Sequence, residues 1–377
     1  MTEIHGTCDA RFEPVKAAFA NNFTNGLEVG ASVAVSHRGE TVVDLWAGHR
    51  DAAKTQDWRE DTIVNVWSST KTMAAMSLLM LADRGDVDLY APVSRYWPEF
   101  AANGKEDVEV RMFLSHSAGL SAMDEAVEGD ALYDWDWMTS ALARQAPWWE
   151  AGSQSGYHAL TQGHLIGEIV RRVTGQTIGE FFAAEIAGPL GADFHIGTPD
   201  SCDLRIAELI PPAQAVGAPE PSSIAGRTFA NPAVDVSAVA TRKWRAAEIP
   251  AANGHGNARS IVKIQTAMAN GGEASGKRLL SEKGTRRIFD EQTNGPDLVL
   301  GLPIRFGMGY GLNNPLLPLS PNENSCFWGG YGGSIVLVDQ DARLCLSYVM
   351  NRMESGLMCD MRGLGLAQAA YASLVST

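Results

Sequence analysis

Apolar positions recur at two different periods along this chain. Phe12, Val15, Ala18 and Phe19 fall at helical spacing and predict an amphipathic helix. From Gly30 to Ser36 the period shortens to two (Val33, Val35). A polar turn at Arg38-Gly39-Glu40 then leads into a second alternating run, Thr41 to Ala47, which together predict a β-hairpin. Asp51 to Asp61 is a charged loop. Beyond it, Met73, Ala74, Ala75, Met76, Leu78, Leu79, Met80 and Leu81 are apolar on nearly every side, the pattern of a buried central helix. Asp83-Arg84-Gly85 supplies its stop, with Gly85 free to turn left-handed.

From Val87 to about Pro250 the helical period dominates. Thr161 to Thr174 carries Leu165, Ile166, Ile169, Val170 and Val173 and ends at Gly175. Thr177 to Ile186 is a second such segment, expected to stop at Gly188-Pro189. Pro211 to Pro221 is a Pro/Ala loop. Ser260 to Asn270 predicts a helix closed by Gly271-Gly272, with Ser260 as its N-cap. Strand periodicity returns over Ser334–Asp339 and Arg343–Met350 around a turn at Gln340-Asp341-Ala342, and Gly363 to Val375 is Ala-rich and helical. Strands at both ends around a helical block predict an α+β fold with one sheet assembled from both ends of the chain. We expect residues 1–85 and 250–377 to form an α/β domain carrying a central antiparallel sheet, and 86–249 a mainly helical second domain.

A chain of 377 residues can bury a sizeable core. The net charge of −14 argues against nucleic acid or an anionic membrane surface as partner. No apolar run reaches membrane-spanning length, and the first residues lack the basic and apolar regions of a signal peptide. Five cysteines (Cys8, Cys202, Cys326, Cys345, Cys359) are scattered without a Cys-x-x-Cys pair and read as reduced thiols of a cytoplasmic protein.

Ser68 and Lys71 open the central apolar helix. Three residues apart, they share a helix face, and burial would lower the lysine pKa until it can take the serine proton. The pattern alone is weak, since a chain of ordinary composition holds about one by chance. A second match, Ser260-Ile261-Val262-Lys263, reads as a capped helix with a solvated lysine. Gly271 to Lys277 nearly matches a phosphate-binding loop, but Arg278 stands where Ser or Thr is required, so it reads as a surface turn. The chain holds no Gly-x-Ser-x-Gly elbow and no His-Glu-x-x-His pair, which counts against an α/β-hydrolase and a zinc enzyme. His116, within Leu114 to Leu120, reads as a hydrogen-bonding loop residue ahead of a general base. Two further stretches stand out. Glu150 to His158 is a Gly/Ser-rich loop that can hold the Tyr157 phenol inward. Trp328-Gly329-Gly330-Tyr331-Gly332-Gly333 is a glycine-dense entry to a strand, where a backbone or ligand can approach closely.

Taken together, Ser68-Ser69-Thr70-Lys71, Tyr157-His158-Ala159 and Trp328-Gly329-Gly330 resemble the three motifs of the penicillin-recognising serine hydrolases, over nearly the whole chain. The likeness is to the class C β-lactamase-like branch and, within it, to the family VIII carboxylesterases. Leu114 to Leu120 and Gly188-Pro189-Leu190-Gly191 also resemble family loops. Two departures stand out. Ala159 replaces an asparagine amide used in amide-bond recognition, and Trp328 replaces a cation used in carboxylate recognition.

The resemblance implies a β-lactamase/transpeptidase-like fold and a site in the cleft between sheet and helical domains. Ser68 would attack an acyl carbonyl, and Lys71 with Tyr157 near it would accept its proton, the ammonium lowering the phenol pKa so that the pair can pass a proton between them. The backbone N–H groups of Ser68 and Tyr331 would hold the oxyanion, and Trp328, Gly329 and Gly330 would line the substrate. Water, activated by Tyr157, would then release the acid from the acyl-enzyme. The expected substrate is a small-molecule, short-chain carboxylic ester, with no metal and no cofactor required. Acyl transfer to an alcohol or amine, weak β-lactamase or amidase activity, and a non-catalytic scaffold or binding protein are the alternatives, and a homodimer is left open. Trp135, Trp137, Trp148 and Trp149 are candidates for either an acyl-pocket wall or core.

Overall fold

The computed structural model describes residues 2–214, 217–316 and 318–375. Its main sheet has nine strands: β1 (Ile4–Cys8), β2 (Gly30–His37), β3 (Glu40–Gly48), β4 (Thr293–Pro296), β5 (Pro303–Phe306), β6 (Gly311–Leu312), β7 (Ser325–Gly329), β8 (Ile335–Asp339) and β9 (Leu344–Met350). They lie in the order β1-β3-β2-β9-β8-β7-β6-β5-β4, all antiparallel. β2 pairs with β9, with Val33 opposite Tyr348, so the N-terminal hairpin and the C-terminal strands close into one sheet, as the hydrophobic pattern predicts.

Every residue of β8 and β9 is buried, because helices cover both faces of the sheet. Five helices frame the sheet and the site: α1 (Glu13–Thr24), α2 (Lys71–Arg84), α3 (Thr161–Thr174), α4 (Ala258–Ala269) and α5 (Met361–Val375). α4 packs on β2, β8 and β9, while α1 and α5 pack on each other. At Gly363 of α5 the backbone comes so close that an added Cβ would lie 3.1 Å from the Ile335 side chain.

α2 is the buried central helix. Every residue from Lys71 to Ala82 is buried, and Gly85 closes it with φ 87°. It is preceded by a 3₁₀ turn over Trp67–Thr70. A small three-stranded sheet (Val64–Asn65, His255–Gly256, Phe194–His195) pins the chain just ahead of that turn.

Three local expectations are corrected. The helix expected to stop at Gly188-Pro189 begins with a Thr177–Glu180 capping box. It continues through a π turn (Ala183–Ala187) into a last turn, Gly188–Leu190. Pro189 lies in that last turn directly after the π turn, where the ordinary i→i−4 ladder is already interrupted. The cap of α4 is Asn257, whose side chain accepts from the Ser260 N–H at 2.9 Å. Ser260 lies inside the first turn, and its Oγ accepts from the Asp193 N–H. Finally, Trp328 and Gly329 end β7, an interior strand, and Gly330 to Ser334 turn the chain into β8. Of the Pro211–Pro221 loop, residues 215 and 216 lie outside the described residues, and the rest is irregular.

Candidate active site

Ser68 sits in the 3₁₀ turn that feeds α2, directly after a backbone outlier. Trp67 has φ 47°, a left-handed conformation that is costly for a bulky side chain. The surroundings hold it there. The Trp67 ring packs at 5.6 Å on Trp244 and 5.8 Å on Tyr331. Thr70 Oγ1 donates to the Trp67 carbonyl, and the Gly254 N–H donates to Thr70 Oγ1 at 2.9 Å. Ser334 Oγ donates to the Val66 carbonyl and shares a 3.0 Å hydrogen bond with Ser69 Oγ. The sharp turn is thereby tied to the sheet on one side and to the 250s loop on the other.

A 3₁₀ turn brings residues i and i+3 almost into register. Lys71 Nζ accordingly lies 3.3 Å from Ser68 Oγ. The amine also donates to the carbonyls of Ala159 (2.7 Å) and Ala251 (2.9 Å). Lys71 is fully buried and has no carboxylate partner among the described residues, so burial holds its pKa well below the ordinary lysine value. Burial, not its hydrogen-bond partners, favours the neutral amine. Nζ thus faces three oxygens, and once neutral it can give two N–H groups to the carbonyls and turn its lone pair to the serine hydroxyl.

Tyr157 donates from its hydroxyl to Ser68 Oγ at 2.5 Å. Its ring lies 4.6 Å from Lys71 Nζ and packs on Trp328 and His116 at 5.5 and 4.9 Å. Burial pushes the phenol pKa far up, and the hydrogen bond to Ser68 and the nearby Trp328 indole offset only part of this. The ammonium-lowered phenol pictured for such a lysine–tyrosine pair is not what this arrangement produces. Desolvation dominates and keeps the phenol protonated.

The loop carrying Tyr157 is locked by histidines. His116 is buried at φ 59°. Its carbonyl accepts from the Gly156 N–H (2.9 Å) and its Nδ1 from the His158 N–H (3.0 Å). His158 Nδ1 meets the Gly156 carbonyl at 2.6 Å, while its Nε2 accepts from the Leu120 N–H. Burial lowers the His158 pKa to about 3 and that of His116 well below the usual range, so both are neutral struts. His116 is thus the hydrogen-bonding loop residue its sequence context predicts.

The glycines of the third motif permit close approach. A Cβ on Gly330 would lie 2.2 Å from the Val66 carbonyl and 3.2 Å from the Ser68 nitrogen, and one on Gly329 would overlap the Met358 carbonyl. Gly330 therefore lets the chain leading into Tyr331 pass against the Ser68 backbone. Among the described residues, neither the Ser68 nor the Tyr331 N–H donates to a backbone carbonyl.

Trp328 is placed otherwise than an apolar face offered to an ester would require. It is 1% exposed and packs beneath Tyr157 among Phe306, Val299 and Met358. The cavity above Ser68, of about 530 Å³, is instead walled by Trp67, Leu160, Phe229, Val234, Val299, Leu300, Tyr331 and Leu357, with Tyr157 and Ala159 beside the serine. No charged side chain is among its described lining residues. Trp135, Trp137, Trp148 and Trp149 do not line it. Trp135 donates to Glu168, and Trp148 lies 3.7 Å under the Arg227 guanidinium. The described residues hold no His/Cys/Asp/Glu group arranged to bind a metal ion, and no helix long and apolar enough to cross a membrane.

The family model for Beta-lactamase matches residues 19–370, and the chain belongs to that family. It is 37% identical over 369 residues to the esterase/beta-lactamase LipL of Mycobacterium tuberculosis, covering 94% of this chain and 84% of that one. The crystal structure of a family VIII carboxylesterase superposes with a TM-score of 0.93 at 44% identity, covering 98% of this chain and all of the other. A penicillin-binding protein homologue from Caulobacter crescentus gives 0.92 at 37% identity, over 99% of this chain and 100% of that one. These matches agree with the family VIII resemblance read from the motifs.

Sequence reasoning missed Asp297. Its Oδ1 accepts from the Tyr157 N–H at 3.0 Å. Gly295-Pro296-Asp297 reads as an ordinary turn, and nothing local marks its aspartate.

Proposed function

We propose that this protein is a serine carboxylesterase that cleaves short, uncharged esters through an acyl-enzyme on Ser68. The observation that carries the reading is the position of Ser68 Oγ. It lies between a phenol at 2.5 Å and a buried amine at 3.3 Å, in a cavity with no charged side chain among its described lining residues. Retention of all three groups in contact argues against a non-catalytic scaffold.

The chemistry follows from the protonation states. Neutral Lys71 accepts the Ser68 proton as Oγ attacks the ester carbonyl. The oxyanion of the tetrahedral intermediate is taken by the backbone N–H groups of Ser68 and Tyr331. Collapse expels the alkoxide, which receives the Tyr157 hydroxyl proton, and the phenolate is reprotonated by the Lys71 ammonium. Both groups then stand as at the start. A water molecule next attacks the acyl carbonyl and passes its proton through the same pair, and the acid leaves with Ser68 restored. No step draws on a metal or cofactor.

An alcohol or amine acceptor could enter in place of water by the same steps, and the walls of the cavity would govern that competition. Hydrolysis of p-nitrophenyl acetate, butyrate and octanoate, with and without added alcohol, tests the reading. Steady release of free acid supports it, and an inert protein refutes it.

A further inference from the structure

The tip of the β4–β5 hairpin reaches from the edge of the sheet to the loop carrying Tyr157. Within the hairpin, the Asp297 N–H donates to the Leu302 carbonyl and the Gly301 N–H donates to the Asp297 carbonyl, both at 2.9 Å. Outward, the Leu298 N–H donates to the Ser155 carbonyl at 3.0 Å. Asp297 is 2% exposed. Its Oδ1 gathers three backbone donors: Tyr157 at 3.0 Å, Val299 at 2.9 Å and Leu300 at 2.9 Å. Each belongs to the site, because the Tyr157 hydroxyl touches Ser68 and the side chains of Val299 and Leu300 wall the cavity. Val299 and Tyr157 also share one small hydrophobic cluster with Trp328 and Phe306.

We propose that Asp297 is a positioning residue that fixes the Tyr157 phenol on Ser68 and couples it to the substrate wall at Val299 and Leu300. The inference rests on the reading of Tyr157 as a catalytic group. Here a single buried oxygen sets the backbone of both the phenol and the wall. Tyr157 stands on an irregular loop, so its backbone N–H has no helix or strand partner to hold it, and Asp297 takes that place. A reacting group displaced by about 1 Å can lose about 10²-fold in rate.

The test is a cycle of four proteins: wild type, Tyr157→Phe, Asp297→Ala and the double variant. p-Nitrophenyl butyrate turnover is normalised to active sites counted with an organophosphonate. We expect Asp297→Ala to lower kcat per site by about 10²-fold, with KM changed less than tenfold. The double variant should be no slower than Tyr157→Phe, because Asp297 acts through the phenol. Asp297→Asn keeps an acceptor oxygen and should recover at least tenfold of the loss. If Tyr157→Phe is slow but Asp297→Ala keeps wild-type kcat per site, the positioning role is overturned and the catalytic reading of Tyr157 stands. If Tyr157→Phe is unimpaired, both fall. Additive losses would also overturn the proposal. Should Asp297→Ala not fold, Asp297→Glu, which shifts the acceptor by one methylene, must show a kcat loss of at least tenfold, and an unchanged kcat refutes the coupling.

Discussion

The Tyr157 hydroxyl lies 2.5 Å from Ser68 Oγ and donates to it, while burial keeps the phenol protonated. The direction of that hydrogen bond divides the work. In the proposed mechanism the phenol gives a proton, and the amine of Lys71, whose pKa the same burial lowers, takes one.

Tyr157→Phe should therefore cut turnover by several orders of magnitude and leave the fold intact, because the ring keeps its packing on Trp328 and His116. Steady-state kinetics on p-nitrophenyl butyrate alongside a thermal melt would check it. Near-normal turnover would mean that Lys71 alone moves the protons.

Lys71 works as a base only when neutral. kcat/KM should rise with pH along a limb centred well below the ordinary lysine value, since desolvation depresses that pKa. The phenol is shifted the other way, so no fall from its ionisation is expected near neutral pH. A pH profile of kcat/KM on a substrate that does not titrate would show this. A limb centred where a solvated lysine titrates would contradict the assignment.

Ser68→Ala should abolish ester hydrolysis, whereas Ser260→Ala should keep it. Ser260 Oγ accepts from the Asp193 N–H near the start of α4, so its loss should cost about 1 kcal/mol of stability. Asn257→Ala removes the true cap and should cost about 1 kcal/mol as well. Denaturant melts and the ester assay on the three variants separate the two Ser-x-x-Lys matches. Equal activity loss at Ser68 and Ser260 would refute Ser68 as the nucleophile.

β-Lactam hydrolysis should be feeble. Among the described lining residues, no cation faces the cavity to receive a drug carboxylate. A missing charge-assisted hydrogen bond is worth roughly 1.5–3 kcal/mol, or about one to two orders of magnitude at about 1.4 kcal/mol per decade. kcat/KM for nitrocefin should fall far below that for p-nitrophenyl butyrate on one preparation. A nitrocefin value equal to the ester value would make the protein a β-lactamase.

Elements with strong periodicity were legible in the sequence: the β2–β3 hairpin, the all-round apolar α2, α3 with its closing glycine, and the β8–β9 pair. β1 was not, because it is an edge strand whose three central residues are all exposed, with no alternation. β4 was not, because Thr293-Asn294-Gly295-Pro296 carries turn residues that only an edge strand tolerates. The three motifs were visible as pieces, but their meeting point depends on long-range contacts. The two carbonyls on Lys71 come from 88 and 180 residues away. Backbone groups leave no side-chain signature, and neither did Asp297 in its turn. The burial of Trp328 under Tyr157 was equally hidden, since a tryptophan beside glycines reads the same whether it faces a ligand or the core.

An organophosphonate titration addresses the nucleophile most directly. One adduct per chain should form on the peptide containing Ser68, and esterase activity should vanish in proportion to labelling. Adducts on another serine, or full ester hydrolysis after Ser68 is completely labelled, would contradict an acyl-enzyme on Ser68.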